Sequence, residues 1–315
     1  MEVSEMMVSV WCLAYNHEPY IRSALEGFVN QKTDFPYEVF VHDDASTDKT
    51  AQIIREYAEK YPHIIKPIFQ KENQYSKNIR IFANHILPRM RGKYIASCEG
   101  DDYWCDPCKL QMQVDFLETH PDYSACVHNT LRKDMDTGRE SLMFGDTAYT
   151  VTPEITISRG SAAYQTSSLM YRREFAFDRP AFLTAVKGLG DYPLAIYLSL
   201  MGKVHYEPAV MSVYRSNVAG SWTKRVEANT ERLVKTTESI RTMLQMADEF
   251  SGGAYHKDFA KVITNCEYKV LRITGKFRQA VRHPGFRDTS LAERCKVLLL
   301  AGCPWLQTIK RRMKS

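Results

Sequence analysis

Three acidic residues stand within one run of four, Glu99-Gly100-Asp101-Asp102, directly after the apolar segment 94–98. That segment has the length and composition of a buried strand. Carboxylates crowded at a strand end repel one another and resist burial, so a divalent cation would stabilise them. The glycine allows a sharp backbone turn, which lets the side chains converge. The run therefore predicts a Mg²⁺ or Mn²⁺ site completed by water and phosphate oxygens, with an ordinary acidic loop as the alternative.

A second acidic pair, Asp43-Asp44, follows a predicted strand at 37–41. A carboxylate accepts several hydrogen bonds, so one of the two would suit a nucleotide base or ribose. The alternative is structural: one aspartate caps the next helix, for which Ser46 and Thr47 are also natural N-caps, and the other is solvated. Two acidic pairs at strand ends favour the binding role.

The first predicted strand is followed by the turn Ala14-Tyr15-Asn16-His17. This turn lacks the GxGxxG glycines that let a dinucleotide pyrophosphate approach the backbone, so a dehydrogenase-type cofactor site is not expected. Tyr15 would stack on a flat ring. Asn16 either belongs to that site or only makes the turn and caps the next helix.

The elements that must position these residues alternate between strand and helix over the first 130 residues. That pattern predicts an α/β fold with a parallel sheet covered by helices, in which ligands bind beyond the carboxyl ends of the strands. Both acidic pairs, the Tyr15 turn and the polar segment 73–78 fall at such ends, so we expect one common site. The predicted strands are 7–13, 37–41, 64–69 and 94–98, and the predicted helices are 18–31, 48–61 and 79–90.

The second half of the chain has a looser pattern. We expect a loop at 146–159, a strand at 163–172, a helix at 191–201 and two short strands within 204–214 around Pro208. From residue 227 onward the pattern is helical, with breaks at 251–253 and 283–285. The predicted domains are 1–225, with a nucleotide half at 1–130 and an acceptor half at 131–225, and a basic helical region at 226–315.

Composition and charge describe a folded protein with a basic tail. The 315 residues are 44% hydrophobic, which is enough for a sizeable core. Residues 251–315 hold 14 Lys and Arg against 4 Asp and Glu, whereas the first 250 residues hold 28 against 33. Eight cysteines without a secretory signal predict a reduced, cytoplasmic protein. The longest uncharged stretch, 297–309, is shorter than the ~20 apolar residues that span a bilayer, so no transmembrane helix is expected.

Three segments together resemble the family 2 glycosyltransferases: 8–31, 43–50 and 92–104. They occur in the order and spacing of that family, and the resemblance covers about the first 130 residues. It implies the GT-A fold, an inverting reaction and a nucleotide-sugar donor. In the family the acidic pair after the second strand contacts the nucleotide, and the turn after the first strand helps to hold the base.

The resemblance also implies roles for single residues. The family's acidic element after the fourth strand ligates the metal and the diphosphate, which maps onto Asp101 and Asp102. Glu99 stands where the family often has Asp, and its longer side chain would reach a sugar hydroxyl or a metal-bound water. The implied nucleotide contacts are Ala14, Tyr15, Asn16, Asp43 and Asp44, together with Lys77-Asn78 or Asn84.

An inverting transferase must also remove a proton from the attacking hydroxyl. Segment 190–194 resembles the family's second acidic motif, so Asp191 is the expected general base, and a plain helix N-cap is the alternative. Arg215 resembles part of a Tyr-Arg element and would face the donor diphosphate or the acceptor, with a surface ion pair as the alternative. The hydroxyls of segment 166–168 would bind sugar or simply serve strand hydrogen bonding.

Together these expectations describe an inverting enzyme that moves a hexosyl or N-acetylhexosaminyl group from a nucleotide sugar, by family precedent a UDP-sugar, to a glycan or lipid-linked glycan. The rivals are a metal-dependent nucleotidyltransferase and a non-catalytic sugar-nucleotide-binding scaffold. Segment 294–314 has the composition of a helix on an anionic membrane surface, or of a basic helix packed on the body. The first alternative would place the protein peripherally on the inner face of the membrane. A nucleic-acid partner is not expected, because no binding motif accompanies the charge.

Overall fold

The computed structural model describes residues 5–77, 79–218, 226 and 229–303. Its strands are β1 Val8–Ala14, β2 Tyr37–Asp43, β3 Ile65–Phe69, β4 Tyr94–Ser97, β5 Tyr103–Trp104, β6 Tyr123–Asp134, β7 Glu140–Leu142, β8 Tyr149–Val151, β9 Met170–Arg172 and β10 Lys203–Ser216. Its α-helices are α1 Ile21–Val29, α2 Thr50–Lys60, α3 Lys109–Thr119, α4 Pro153–Arg159, α5 Asp191–Met201, α6 Thr230–Phe250, α7 His256–Ile273, α8 Phe277–Arg282 and α9 Leu291–Gly302.

One sheet joins these strands in the order β3-β2-β1-β4-β9-β6-β10-β5, with β7 beside β6 and β8 beside β10. The neighbours β3, β2, β1 and β4 all run parallel. The predicted parallel, helix-covered sheet is confirmed for this half of the chain. Beyond β4 the sheet is mixed, because β9 runs antiparallel to both β4 and β6, whereas β10 is parallel to β6.

The central strand β1 is covered on both faces. Val8, Val10 and Cys12 belong to an apolar cluster that includes residues of α1 and α2. Trp11 and Leu13 pack against a second cluster, formed with residues from β6, β9 and α5. Successive side chains of a strand point to opposite faces, so this alternation buries β1 between two layers. The polar residues that follow the strand are thereby left at its end.

Two predicted elements of the chain are wrong. In place of a regular helix at 79–90, a π-helical turn at Phe82–Ile86 continues into a 3₁₀ turn at Leu87–Arg89. Pro88 has no N–H to donate and its ring clashes with an earlier carbonyl, so an α-helix cannot continue there. The predicted loop at 146–159 instead contains β8 and α4. Helix α4 starts at Pro153, and proline is favoured at the first helical position.

The strands of the second half also differ from prediction in extent. The two short strands expected within 204–214 are one strand, β10, whose pairing with β6 shifts register between Glu207 and Val210. Pro208 lies in this irregularity, where its missing N–H breaks no regular ladder hydrogen bond. Of the strand predicted at 163–172, only β9 forms, and a 3₁₀ turn at Thr166–Ser168 precedes it.

The structure divides into two compact units. One comprises residues up to 179 together with 194–218 and contains the sheet, and the other comprises 180–193 and the described residues from 226 onward. In the second unit α6 packs against α7, and Tyr268, Ala280 and Val297 form a buried cluster. The predicted helical course with breaks at 251–253 and 283–285 is confirmed there, and the domain boundary at 225 stays a prediction. None of the described helices has the length and apolar composition needed to cross a bilayer.

Candidate active site at the strand ends

The structure brings three of the predicted polar segments together at the carboxyl ends of β1, β2 and β4. The backbone N–H of Asp44 donates to the carbonyl of Ala14 at 2.9 Å, and the N–H of Gly100 donates to the carbonyl of Leu13 at 2.9 Å. Strand β1 therefore holds the second strand's acidic pair on one side and the acidic run on the other. We call this edge, formed by residues 14–17, 43–46 and 99–102, the acidic rim.

The loops after β1 and β2 lock onto each other. Ser46 Oγ accepts a hydrogen bond from the N–H of Asn16 at 2.9 Å, and Asn16 Oδ1 accepts one from the N–H of Thr47 at 2.8 Å. The predicted helix caps are wrong, because α2 begins at Thr50 and neither hydroxyl caps it. Asn16 and Ala45 both adopt positive φ angles, 55° and 61°. That conformation is costly for alanine and is often retained at functional sites.

Asp43 and Asp44 have different surroundings. Both oxygens of Asp44, which is 4% exposed, accept backbone hydrogen bonds, from Gln74 at 2.7 Å and from Tyr75 at 3.0 Å. Asp43 Oδ2 accepts from the N–H of Ser46 at 3.2 Å, but its buried Oδ1 has no hydrogen-bond partner among the described residues. Burial raises the pKa of Asp43 above its ordinary value. Asp43 thus presents an unsatisfied acceptor, whereas Asp44 fixes the segment that follows β3.

The segment after β3 places further predicted nucleotide contacts. Tyr75 is partly exposed at 37%, and Lys77 is exposed and forms an ion pair with Glu72. Asn84 is exposed within the π-helical turn. Asn78 lies outside the described residues. Tyr15, predicted to stack on a flat ring, is 44% exposed at the acidic rim, which leaves its own ring accessible.

The acidic run differs from residue to residue. Glu99 is exposed and Asp101 is half-buried, but Asp102 is only 2% exposed. Asp102 Oδ1 accepts a hydrogen bond from the backbone N–H of Arg215 at 2.9 Å. Burial, followed by the charge of Asp101, raises the pKa of Asp102 well above its ordinary value. Asp102 therefore connects the run to β10 from the inside.

Gly100 is required for space. Its backbone is not in the left-handed region, but a Cβ there would lie 2.9 Å from His17 Nδ1 and 3.0 Å from Ile21 Cδ1. His17 Nδ1 is buried without a hydrogen-bond partner among the described residues. Burial lowers the pKa of His17 despite the opposing charges of Asp101, Asp48 and Asp43. A neutral imidazole thus lies within the field of both acidic pairs, a feature that the sequence analysis missed.

Arg215 holds the acidic run in place. Its Nη1 donates to the carbonyl of Asp101 at 2.7 Å and its Nη2 donates to Ser23 Oγ at 3.1 Å. The guanidinium carbon lies 4.5 Å from the ring centroid of Tyr103 and 5.3 Å from that of Tyr20. These contacts tie together α1, β10 and the run itself. The predicted contact of Arg215 with donor or acceptor stays a prediction.

A buried amine lies behind the run. Lys109 is fully buried, its Nζ donates to Gln113 Oε1 at 2.6 Å, and the same atom lies 4.2 Å from the ring centroid of Trp104. Burial lowers the pKa of Lys109 to about 7. Sequence reasoning missed this residue, although it stands one turn before Gln113 on the face of α3 that also carries Leu110.

Within segment 166–168, the hydroxyls of Ser167 and Ser168 are used inside the protein. Ser167 Oγ donates to Ser212 Oγ at 3.1 Å, and Ser168 Oγ donates to the carbonyl of Gln165 at 2.6 Å. Both serines are buried. The carbonyl of Ser167 accepts a hydrogen bond from Trp104 Nε1 at 2.8 Å. The segment thus contacts Trp104, just after the acidic run, and for the two serines the structure agrees with the structural alternative.

The predicted general base belongs to the second compact unit. Asp191 is the first residue of α5, and its Oδ1 accepts a hydrogen bond from the N–H of Tyr192 at 2.9 Å. The side chain of Asp191 is half-buried. Burial raises the pKa of neighbouring Tyr192 above its ordinary value. The catalytic role of Asp191 stays a prediction.

The residues of the acidic rim suit a hard cation. In the described part of the chain, no three His, Cys, Asp or Glu side chains form a ready-made metal cluster. A Mg²⁺ or Mn²⁺ ion does not need one, because it commonly takes one or two carboxylates and completes its shell with water and substrate phosphates. Half-buried Asp101 beside exposed Glu99 fits this donor set. Asp102 fits less well, because it is buried and already accepts a hydrogen bond from Arg215.

Comparison with solved structures shows the same fold. The crystal structure of TarS 1-349 from S. aureus in complex with UDP matches with a TM-score of 0.57 at 20% identity, over 92% of this chain and 77% of that chain. The mannosyltransferase PcManGT from Pyrobaculum calidifontis, in complex with GDP-Man and Mn2+, matches with a TM-score of 0.55 at 19% identity, over 96% and 81%. These likenesses confirm the predicted GT-A fold.

Comparison of sequences identifies the family. The uncharacterized protein Rv1520 of Mycobacterium tuberculosis is 33% identical over 324 aligned residues, which cover 98% of this chain and 86% of that protein. The sequence pattern described as Glycosyl transferase family 2 matches residues 9–178, more than half of the chain. Together with the fold, these matches establish that the chain belongs to glycosyl transferase family 2.

Proposed function

We propose that this protein is an inverting glycosyltransferase that moves a hexosyl or N-acetylhexosaminyl group from a UDP-sugar to a hydroxyl of a glycan or lipid-linked glycan. The observation that carries the proposal is the acidic rim, where the unsatisfied Asp43 Oδ1 and the half-buried Asp101 stand at the ends of neighbouring strands. A nucleoside diphosphate offers hydrogen-bond donors at its base and ribose and negative charge at its phosphates. The rim provides an acceptor for the first and a cation site for the second.

At the nucleotide end, Asp43 accepts hydrogen bonds from the base or ribose, and Ala14, Tyr15 and Asn16 form the wall beside it. An unpaired buried acceptor costs free energy. A hydrogen bond donated by the ligand to Asp43 Oδ1 therefore contributes more to binding than the same bond would in water. Asp44 contributes by holding Tyr75 in place through its backbone. Lys77 and Asn78 complete the proposed nucleotide contacts.

At the diphosphate end, Asp101 is the principal metal ligand, with Glu99 beside it for a sugar hydroxyl or a metal-bound water. Bound there, Mn²⁺ or Mg²⁺ would neutralise the charge that develops on the leaving nucleoside diphosphate. Of the two ligands predicted, the geometry favours Asp101 over Asp102, because the Asp102 carboxyl is buried. Arg215 holds the backbone of the acidic run in position and adds a positive charge near the phosphates.

Asp191 removes the proton from the acceptor hydroxyl as that oxygen attacks the anomeric carbon from the face opposite the leaving group, which inverts the configuration. Its position in the first turn of α5 stabilises the carboxylate form that a base needs. The cytoplasmic location expected from the sequence, with its eight cysteines, is part of the same proposal.

The donor is tested first by binding. We expect one of UDP-, GDP- or dTDP-sugars to raise the unfolding temperature of the protein, and Mn²⁺ to increase that rise, because a ligand of the native state stabilises it. The structural relatives contain both UDP and GDP-Man, so the panel decides between nucleotides. A panel without any metal-dependent shift would contradict the proposal.

Turnover is tested with Asp191→Asn. We expect the release of nucleoside diphosphate to fall by about a hundredfold to ten-thousandfold, the usual contribution of a general base, while the donor-induced shift is unchanged. Asp178→Asn, at an exposed aspartate, is the matched control. Release of pyrophosphate instead would establish a nucleotidyltransferase, and donor binding without turnover on any acceptor would favour the binding scaffold.

A further inference from the structure

Helix α9 has one face that packs within its own unit. Val297 has no exposed surface, and Leu300 is almost fully buried. Val297 shares a cluster with Tyr268 of α7 and Ala280 of α8. These residues fix the rotation of α9 about its axis. What the opposite face of the helix displays is therefore determined by the fold.

The opposite face of α9 is apolar and exposed. Leu291, Leu298 and Leu299 are 75%, 50% and 56% exposed, which are high values for leucine in a folded protein. Cys295 and Gly302 are exposed as well. Residues 291, 295, 298 and 302 follow one another at intervals of four and three, so they form a single stripe along the helix, with 299 beside it. No charged residue interrupts this stripe.

Basic side chains are exposed on α9 and on the elements before it in the chain. In the described part of this unit they include Lys276 just before α8, Arg278 and Arg282 on α8, Arg287 after it and Lys296 on α9. The sequence beyond α9 adds Trp305, Leu306 and Ile309 and then the basic run 310–314, all of which lie outside the described residues. An apolar stripe accompanied by exposed cations suits a lipid membrane, which has an apolar interior and anionic headgroups at its surface.

We propose that the exposed stripe of α9, Leu291, Cys295, Leu298, Leu299 and Gly302, inserts into the interface of an anionic lipid membrane. A second copy of the chain suits the stripe less well. Residues 251–315 carry 14 basic against 4 acidic residues, so two such regions repel each other. A 12-residue helix is also only ~18 Å long, too short for its stripe to supply the ~800 Å² per partner of a stable interface. The membrane inference stands independently of the transferase assignment.

The test is sedimentation of the full-length protein with lipid vesicles. We expect the wild type to bind vesicles of phosphatidylcholine and phosphatidylglycerol more tightly than vesicles of phosphatidylcholine alone, and added salt to weaken the binding. The double variant L298Q/L299Q should bind the anionic vesicles at least about tenfold more weakly, because two leucine side chains no longer insert into the membrane. Glutamine preserves helix propensity, so the fold should persist, as thermal unfolding would verify.

Leu142→Gln is the matched control, because Leu142 is 57% exposed on β7 and lies outside the helical unit. It should bind vesicles as the wild type does. Equal binding by L298Q/L299Q and the wild type would overturn the proposal, as would wild-type protein that stays in the supernatant. If the wild type is a dimer that does not bind vesicles and L298Q/L299Q is a monomer, the stripe is instead a contact between two copies of the chain. Turnover with a soluble acceptor, measured on the same variants, should be unchanged.

Discussion

The acidic pairs after β2 and β4 look alike in sequence, but their second residues anchor the structure to different degrees. Asp44 accepts backbone hydrogen bonds from both Gln74 and Tyr75, whereas Asp102 accepts one, from Arg215. Each buried carboxylate therefore connects its strand end to a distant segment of chain. The pair after β2 has the firmer connection, because both carboxylate oxygens are satisfied by backbone donors.

In the proposed function, the first residues of the two pairs, Asp43 and Asp101, contact the ligand. Asp43 keeps one buried oxygen without a hydrogen-bond partner among the described residues, and Asp101 is half-buried with its carbonyl held by Arg215. Under that proposal the first aspartate of each pair acts on the ligand, whereas the second fixes the surrounding backbone. Removing the two should therefore affect different measurements.

Among the variants that test this comparison, the largest effect is expected for Asp101→Asn. If Asp101 is the proposed metal ligand, its loss removes several kcal/mol of charge stabilisation, so Mn²⁺-dependent turnover should fall by about a thousandfold with little change in the unfolding temperature. The measurement is the release of nucleoside diphosphate at saturating donor. Asp115→Asn, at an exposed position on α3, is the control. Full loss of Mn²⁺ dependence in Asp102→Asn, with Asp101→Asn active, would reverse the roles within this pair.

The second prediction concerns the buried amine behind the β4 pair. The folded-state pKa of Lys109 is lowered to about 7 from 10.5, so between these values the unfolded chain binds a proton that the folded protein does not. Rising pH should therefore stabilise the fold, by up to about 1.4 kcal/mol per pH unit, and this stability is lost as the pH falls towards 7. Lys109→Met should remove this dependence.

Urea unfolding at several pH values between about 7 and 10 measures the difference between wild type and variant. Lys257→Met, at an exposed lysine of α7, should follow the wild type. Parallel curves for Lys109→Met and the wild type would show that Lys109 is protonated in the folded state.

The third prediction separates the members of the β2 pair. Asp44→Asn places an amide group against one of two backbone donors, and an unsatisfied buried donor costs about 1–3 kcal/mol. We expect the free energy of unfolding to fall by about 2 kcal/mol. Asp43→Asn keeps an acceptor for Ser46 and removes a buried charge, so its change should stay within about 0.5 kcal/mol. Equal losses of unfolding free energy in Asp43→Asn and Asp44→Asn would contradict this difference between the two aspartates.

The smallest effect is expected for Arg215→Lys. Lysine keeps the charge but cannot reach the Asp101 carbonyl and Ser23 Oγ together, so the acidic run should become less ordered. We expect about a tenfold loss of turnover with a weaker apparent affinity for Mn²⁺, as for other residues that orient a metal ligand. Ser23→Ala removes only one contact and should have a smaller effect. Unchanged Mn²⁺ affinity in Arg215→Lys would remove Arg215 from this role.

Much of the first half of the fold was predictable because its signals are local. Period-two burial in β1 and apolar spacing in α1 and α2 reflect side-chain geometry that each segment carries by itself. The predicted helix at 79–90 was wrong because Pro88 lacks an N–H and its ring clashes with the carbonyl one turn earlier. This effect outweighs the apolar pattern. The bulge at Pro208 depends on pairing with β6, a distant partner that no local pattern records.

Motif spacing and periodicity are local properties, so the family, the alternation of strands and helices from β1 to β3, and the acidic residues at strand ends could be read from the amino-acid order. Which carboxylates are used internally depends instead on tertiary packing. Asp44 accepts hydrogen bonds from residues 74–75, and Asp102 accepts one from residue 215. The folded sheet brings these distant residues together. Hydrogen bonding and desolvation depend on these distant neighbours, so identical pairs in sequence acquire different chemistry.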